Sequence, residues 1–334
     1  MDFVENYNSF LLQNKDIIRR SLILHHEDPA YLFFKDRFKK IYHALPEEKK
    51  PDLMVSATDG SEFSRELYNG QKLVVSRAIS IIEGKEVEED SFHLMRVDRE
   101  QKNEIVKRIM ENLEHMAAMR TIKEESAKLC LMDGSLSGRL YWRTKIFDTD
   151  LKPDIYEDYI KKLRDFISMV IAKKVILVFI GKTSDTTILK RSIIQNEKEL
   201  PDFIVGENIT DHLIVKSIAE FPGYTEPVFV EKQIDRESTV EFFTMHVLPS
   251  MDDTPLKIDY IIPEGSPFTA EDIVSWIRWS YTGLKNHNLW ISLADKKVKF
   301  HRIETEDIIM KLFMKAAGID EVETRGERRA RIRF

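Results

Sequence analysis

One run in this chain leaves little choice of architecture. Lys173-Lys174-Val-Ile-Leu-Val-Phe-Ile-Gly-Lys182 places six consecutive apolar residues, 175–180, between charged ends. A strand with no apolar/polar alternation has to be covered on both faces, which makes it an internal strand of an α/β sheet rather than one side of a half-solvated antiparallel sheet. The run is also the longest uninterrupted apolar stretch, and a bilayer span needs roughly 20 residues. The start, MDFVENYNSF, carries no basic-then-apolar leader pattern. Cys130 is the single cysteine, which excludes an internal disulfide and a cysteine-rich zinc site. The expectation is a soluble cytoplasmic protein without membrane association.

Periodicity on either side of that run predicts alternating helices and strands. Residues 2–46 read as two helices, the second opened by Asp28-Pro29. Residues 52–95 read as short strands in an antiparallel meander. Over 98–125 the pattern turns helical again, with Ile105, Ile109, Leu113, Met116 and Ala117 on one stripe. A strand at 127–133, an extended continuation at 138–147 and a helix at 154–172 lead into the apolar run. Helices near 186–195 and 209–220, strands at 227–233, 239–248 and 256–262, and helices at 269–284 and 304–316 follow. No solenoid repeat or low-complexity linker divides the chain, so 1–334 is read as one unit. Its parts are a helical extension (1–50), a core with insertions (51–300), and a helical end with a basic tail (301–334). The formal net charge is −6, yet the last ten residues, RGERRARIRF, carry five arginines, which favours contact with DNA or a protein partner at that end.

Two of the predicted strands end in the same tripeptide: VSATDGSEF at 55–63 and LCLMDGSLS at 129–137. Each Asp-Gly-Ser alone is ordinary turn chemistry, with the glycine permitting the turn and the serine bonding back to it. Two copies on strands of one sheet place Asp59 and Asp133 near each other, and paired carboxylates repel unless a cation joins them. The helix between them offers a third. Glu114 falls on the shoulder of the apolar stripe, whereas Glu104 and Glu111 point further toward solvent. Strand Asp, meander, helix Glu, strand Asp is the order used by ribonuclease-H-like nucleases, whose oxygen ligands hold Mg2+ or Mn2+ for phosphodiester cleavage. Lys182 stands where it would neutralise phosphate charge. The histidines at 93, 115, 212 and 246 follow no metal-ligand spacing. No GxxxxGK[ST] occurs, and with only 12 glycines a sugar-kinase-like ATPase with glycine-rich phosphate loops is a poor alternative.

The chain resembles the NurA nucleases of archaea and some bacteria over essentially its whole length. The resemblance rests on the first DGS at 59–61, the helix with its glutamate, and DGSL at 133–136. It continues in GKTS at 181–184 and LKIDYIIP at 256–263. It implies an α/β fold of ribonuclease-H-like type, a mixed sheet flanked by helices with helical amino- and carboxyl-terminal extensions. It also implies a homodimer and manganese- or magnesium-dependent cleavage of single-stranded DNA and duplex ends, as a 5′ to 3′ exonuclease and single-strand endonuclease. The partner implied is a HerA-type hexameric ATPase in double-strand-break end resection. Carried onto this chain, Asp59, Glu114 and Asp133 become the metal ligands, and Ser61, Ser135 and Lys182 nucleic-acid contacts. One departure stands out. The family places a Tyr-Pro pair near the carboxyl end and, eight residues after the tyrosine, a histidine following an alanine. Aligning Ala294 with that alanine puts His287 at the tyrosine and Asp295, a further oxygen ligand, at the histidine. A catalytically decayed DNA-end clamp of the same fold is the alternative this departure leaves open.

Overall fold

The computed structural model describes residues 2–96, 102–140, 155–195, 197, 209–320, 322–326 and 329. Helices α1 (Phe3–Gln13), α2 (Lys15–Leu22) and α3 (Pro29–Ile41) lead through β1 (Tyr42–Ala44) into three long strands: β2 (Val55–Glu66), β3 (Lys72–Ile82) and β4 (Lys85–Met95). Then come α4 (Lys102–Glu124), β5 (Leu129–Asp133), the single turn α5 (Leu136–Arg139), α6 (Ile155–Ala172) and β6 (Ile176–Gly181). After α7 (Ile188–Ile194) and α8 (Asp211–Ile218) the chain adds β7 (Gly223–Thr225), β8 (Val228–Gln233), β9 (Thr239–Leu248) and β10 (Leu256–Ile261). It closes with α9 (Ala270–Ser280), α10 (Leu289–Val298), a π-helical stretch (Ile303–Met310) and α11 (Lys311–Ala317).

Among the described residues all ten strands join one mixed sheet, in the order β1-β7-β9-β10-β6-β5-β2-β3-β4, with β8 beside β9. The meander β2-β3-β4 is antiparallel, β5 lies parallel to β2, and β6 lies parallel to β5. Parallel neighbours need a crossover, and α4 and α6 supply the two. The apolar run fills the centre as its composition requires. Leu177 and Phe179 point to one side and pack with Tyr159, Leu163 and Phe166 of α6. Ile176, Val178 and Ile180 point to the other and pack with Trp276 and Ile277 of α9 and Ile291 of α10. This is the two-residue alternation of a strand, with apolar side chains on both faces because both are covered.

Three sequence expectations change. The amino-terminal helical pattern breaks at Asn14, and α1 buries none of its residues. A helix, α10, forms where none was predicted: the Asn288 side chain caps Ile291 N–H at 3.0 Å, and Ile291, Ala294 and Val298 bury one stripe. Glu111 is buried rather than directed to solvent, because α6 covers that flank of α4 and gives the carboxylate the Tyr159 hydroxyl at 3.0 Å, while Arg108 of α4 itself donates at 2.5 Å. A fourth change is at the extended continuation expected over 138–147: Gly138 and Arg139 belong to the helical turn α5, capped by Ser135, and 141–147 lies outside the described residues, as does the arginine-rich end beyond Arg325, Gly326 and Arg329.

A buried ion pair ties β10 to the loop after β5. Lys257 Nζ lies 2.8 Å from Asp259 Oδ2 and 2.8 Å from Ser135 Oγ, and it also donates to Ser137 Oγ. Asp259 further accepts from Ser135 Oγ (2.9 Å), Ser137 N–H (2.9 Å) and Thr244 Oγ1 (2.6 Å). Burial alone would raise the Asp259 carboxyl, but Lys257 and these donors outweigh it and hold the group below its ordinary range. Removing one partner strands the other charge. Lys257→Met is therefore expected to lower stability by about 3–5 kcal/mol, measured as a fall in the urea midpoint, and Lys257→Met/Asp259→Leu to recover much of the loss.

Candidate metal centre

The two Asp-Gly-Ser motifs meet at a fork in the sheet. Asp133 ends β5 as expected, but Asp59 does not end β2, which stays paired with β3 as far as Glu66↔Lys72. What ends is the partnership of β2 with β5, at Thr58↔Met132. One step further in the same parallel register, Asp59 and Asp133 stand beside each other where the strands part. Side chains alternate, so Asp59 shares the face of Ala57, and Asp133 that of Leu131, both packed toward α9 and α10. Ser61 lies on the same face of β2 and is partly exposed.

Glu114 comes from the opposite side. Even-numbered residues of β2 face α4: Thr58 bonds Ser80 at 2.8 Å, and Ser80 lies 3.3 Å from Thr121 of α4. Gly60 is the next residue on that face. A Cβ built there would stand 2.6 Å from Met110 Cγ and 2.7 Å from Glu114 Oε1, closer than real side chains approach. Gly60 has no positive φ, unlike Gly134 at +92°. The two glycines thus serve different ends. Gly134 makes a turn, and Gly60 leaves a gap through which a helix glutamate reaches strand carboxylates on the far face.

The charges gathered at this gap are poorly compensated. Asp59 is 5% exposed, and its carboxyl is pushed up to about 8, first by burial and then by Asp133 and Glu114, with Asp295 adding to the effect. Glu114 is raised to about 7 because burial outweighs its Arg139 partner. Arg139, on α5 just after the second motif, pairs with Glu114, donates to the Asp133 carbonyl at 3.1 Å and meets His115 Nε2 at 2.9 Å. Asp133 Oδ1 is buried and receives no hydrogen bond. Lys182 Nζ stands 3.2 Å from it as an ion pair. Among the described residues no three His, Cys, Asp or Glu side chains enclose a metal position as they stand, since Glu114 is turned onto Arg139 and Asp133 onto Lys182. The donor set still fits a hard divalent cation: it is all oxygen, one atom lacks a hydrogen bond, and burial together with repulsion from Asp133 and Glu114 raises the Asp59 carboxyl.

The remaining predicted residues border this cluster. Asp295, on α10, is felt electrostatically by Asp59 and pairs with Lys299 at 2.6 Å. His287 precedes the α10 cap and is held below its ordinary pKa by burial and by Lys182. His287, Asp295 and Lys182 line one cleft of about 400 Å³. A larger cleft of about 820 Å³ lies beyond α10, along Lys50–Val55, Trp290 and Leu293, and holds none of the carboxylates. Ser135 is engaged internally, capping α5 and bonding Asp259 and Lys257. Sequence reasoning missed Arg139, Lys257 and Asp259. The last two carry a readable signal, as opposite charges two residues apart in an apolar strand point to the same side.

Two outcomes follow from this geometry. Gly60→Ala is expected to drive Met110 and Glu114 off the strand and cost about 1–3 kcal/mol of stability, checked by chemical denaturation. For Asp59 the folded carboxyl titrates near 8 and the unfolded one near its ordinary 3.8. The folded state then binds more protons between those values, and its contribution makes stability fall as pH rises from about 4 to about 8. Metal-free Asp59→Asn should have a higher Tm than the parent at pH 8, a smaller advantage at pH 5.5, and none below pH 3.5.

The fold and the match to known proteins agree. The computed model superposes on the crystal structure of the NurA nuclease from Sulfolobus solfataricus with a TM-score of 0.62, 16% identity, and coverage of 96% of this chain and 99% of that one. A crystal structure of NurA bound to dAMP and manganese matches with a TM-score of 0.57 at 14% identity, covering 93% and 96%. One of NurA with manganese matches at 0.56 and 13%, covering 92% and 97%. These likenesses concern the fold. No curated protein sequence matches the chain. The family model for the NurA domain matches residues 54–300, and with most of its length so matched the chain belongs to the NurA family.

Proposed function

We propose that this protein is a metal-dependent DNA nuclease whose centre is built by Asp59, Asp133 and Glu114. The observation that carries the reading is the approach of Glu114 through the Gly60 gap to two adjacent strand carboxylates, with the Asp59 carboxyl raised by burial and by that crowding. The order β4-β3-β2-β5-β6, with an antiparallel meander and two parallel crossovers, supports a ribonuclease-H-like core. Relatives of the same fold bind manganese and dAMP, which supports Mn2+, with Mg2+ the other hard cation the oxygen ligands accept.

The chemistry a bound divalent cation supplies here is Lewis-acid polarisation of a phosphodiester and activation of water. Asp59, Asp133 and Glu114 would hold it, with Asp295 on the α10 side as a further oxygen. Arg139 keeps Glu114 oriented by tying it to the end of β5. Lys182 offsets phosphate charge next to Asp133, and Ser61, partly exposed on the Asp59 side of β2, would contact a passing strand of DNA. Action as a 5′ to 3′ exonuclease and single-strand endonuclease in end resection belongs to the same proposal, as do a homodimer, a HerA-type ATPase partner and a cytoplasmic location.

A second reading, a DNA-end clamp that no longer cleaves, is favoured by one feature: Arg139 already neutralises Glu114. Cleavage and metal binding separate the two. With Mn2+, Asp59→Asn and Asp133→Asn should each lose on the order of a hundredfold or more in cleavage of single-stranded DNA, the scale of several kcal/mol of lost charge stabilisation. Calorimetry should show saturable Mn2+ binding by the parent and not by Asp133→Asn. Full activity in either folded variant removes the proposed centre, and no Mn2+ binding by the parent favours the clamp.

A further inference from the structure

The cleft beside the carboxylates contains nitrogen groups without a partner among the described residues. It is lined by Lys182, Lys285, Lys296, His287, Asp253 and Asp295, among others, and its volume of about 400 Å³ falls in the range of small-ligand sites, about 300–1,000 Å³. His287 is 9% exposed, and its Nε2 is buried with no hydrogen-bond partner, an arrangement that costs free energy unless a ligand completes it. Lys285 and Lys296 have no anionic partner among the described residues. The two acids of the cleft already have partners. Asp253 accepts from the Tyr281 hydroxyl at 3.0 Å and from Thr254 N–H at 2.7 Å, and Asp295 holds Lys299 at 2.6 Å. What remains for a ligand is therefore cationic: two free ammonium groups, one unpartnered imidazole nitrogen, and Lys182 at the mouth next to Asp133.

Resting on the nuclease reading above, we propose that this cleft is a subsite for the terminal phosphomonoester of a DNA strand. A monoester carries between one and a half and about two charges and three acceptor oxygens at neutral pH, against one charge and two free oxygens for an internal diester. Two lysines and the His287 nitrogen match the monoester in charge and in number of donors. Lys182 links the subsite to the carboxylates, because it borders the cleft and pairs with Asp133. A strand end anchored here presents its first linkages to Asp59, Asp133 and Glu114, so the subsite selects ends over internal sites by charge, without reading sequence.

The test uses full-length, metal-free protein in EDTA, so no cleavage takes part. Anisotropy of a labelled single-stranded oligonucleotide is measured in three forms: 5′-phosphate, 3′-phosphate and hydroxyl at both ends. Binding of one phosphorylated form about tenfold or more tighter than the hydroxyl form is expected, the scale of hydrogen bonds to a charged group, and the two phosphate arms identify which end is held. Lys285→Ala/Lys296→Ala should abolish that preference while affinity for the hydroxyl form changes far less. Equal affinity for all three forms in the parent, or a preference that survives the double substitution, overturns the subsite while leaving the nuclease reading intact. Failure of the parent to bind any form overturns the subsite, and the nuclease reading is tested separately by Mn2+-dependent cleavage that is lost in Asp59→Asn.

Discussion

Mutual repulsion among Asp59, Asp133 and Glu114 is the constraint around which this structure is arranged. Three carboxylates brought together in a largely buried place are unfavourable to the fold unless something holds them there. Asp59 answers by keeping its proton to about pH 8. Glu114 is pinned by Arg139 and Asp133 faces Lys182. The crowding exists only because Gly60 has no side chain, since an ordinary residue there would push Glu114 away.

The elements around the cluster follow from the need to keep it in place. β5 must stop at Asp133 while β2 continues, and the turn at Gly134 ends the strand there. The following turn is anchored from beneath by Lys257 and Asp259, which grip Ser135 and Ser137 from a neighbouring part of the sheet. That grip fixes α5, and α5 carries Arg139. A buried pair on β10 thus bears on Glu114 on α4 through two steps, the first made of hydrogen bonds to Ser135 and Ser137 and the second of the Arg139–Glu114 ion pair. Buried ion pairs are weak evidence for stability, and their better attested use is to specify one arrangement. Here the arrangement specified is that of a charged site.

Much of the framework was legible in the sequence because it depends on periodicity. The 175–180 run is the central strand, and the stripe at Ile105, Ile109, Leu113 and Ala117 is buried. The pairing of Asp59 with Asp133 was legible too, since a repeated motif at two strands constrains their neighbourhood. Long-range choices were not. Turn chemistry cannot distinguish a glycine that needs positive φ from one that needs empty space, so Gly60 was read as a turn. A single-stripe view of α4 put Glu111 in water because it does not anticipate α6 on a second flank. Arg139 is one basic residue in a polar turn, and only its partners on other elements make it a fixture of the site.

α10 shows how one helix can shape the charge of the site. A histidine at position 295 would bring a neutral or cationic ring toward Asp59, whereas Asp295 brings a fourth carboxylate and raises Asp59 further. Lys299, one turn along the same helix, pairs with Asp295 and is itself raised by it, with a smaller effect from Asp59. The added charge is therefore partly screened by its own helix, as an i,i+4 pair should be. His287, just before the α10 cap, lines the same cleft. With burial and Lys182 lowering its pKa, that ring stays neutral and keeps Nε2 free to bond an incoming group. Asp295 thus adds negative charge beside the carboxylates while Lys296 of the same helix lines the cleft, so one helix carries both the cation-seeking and the anion-seeking sides of the site.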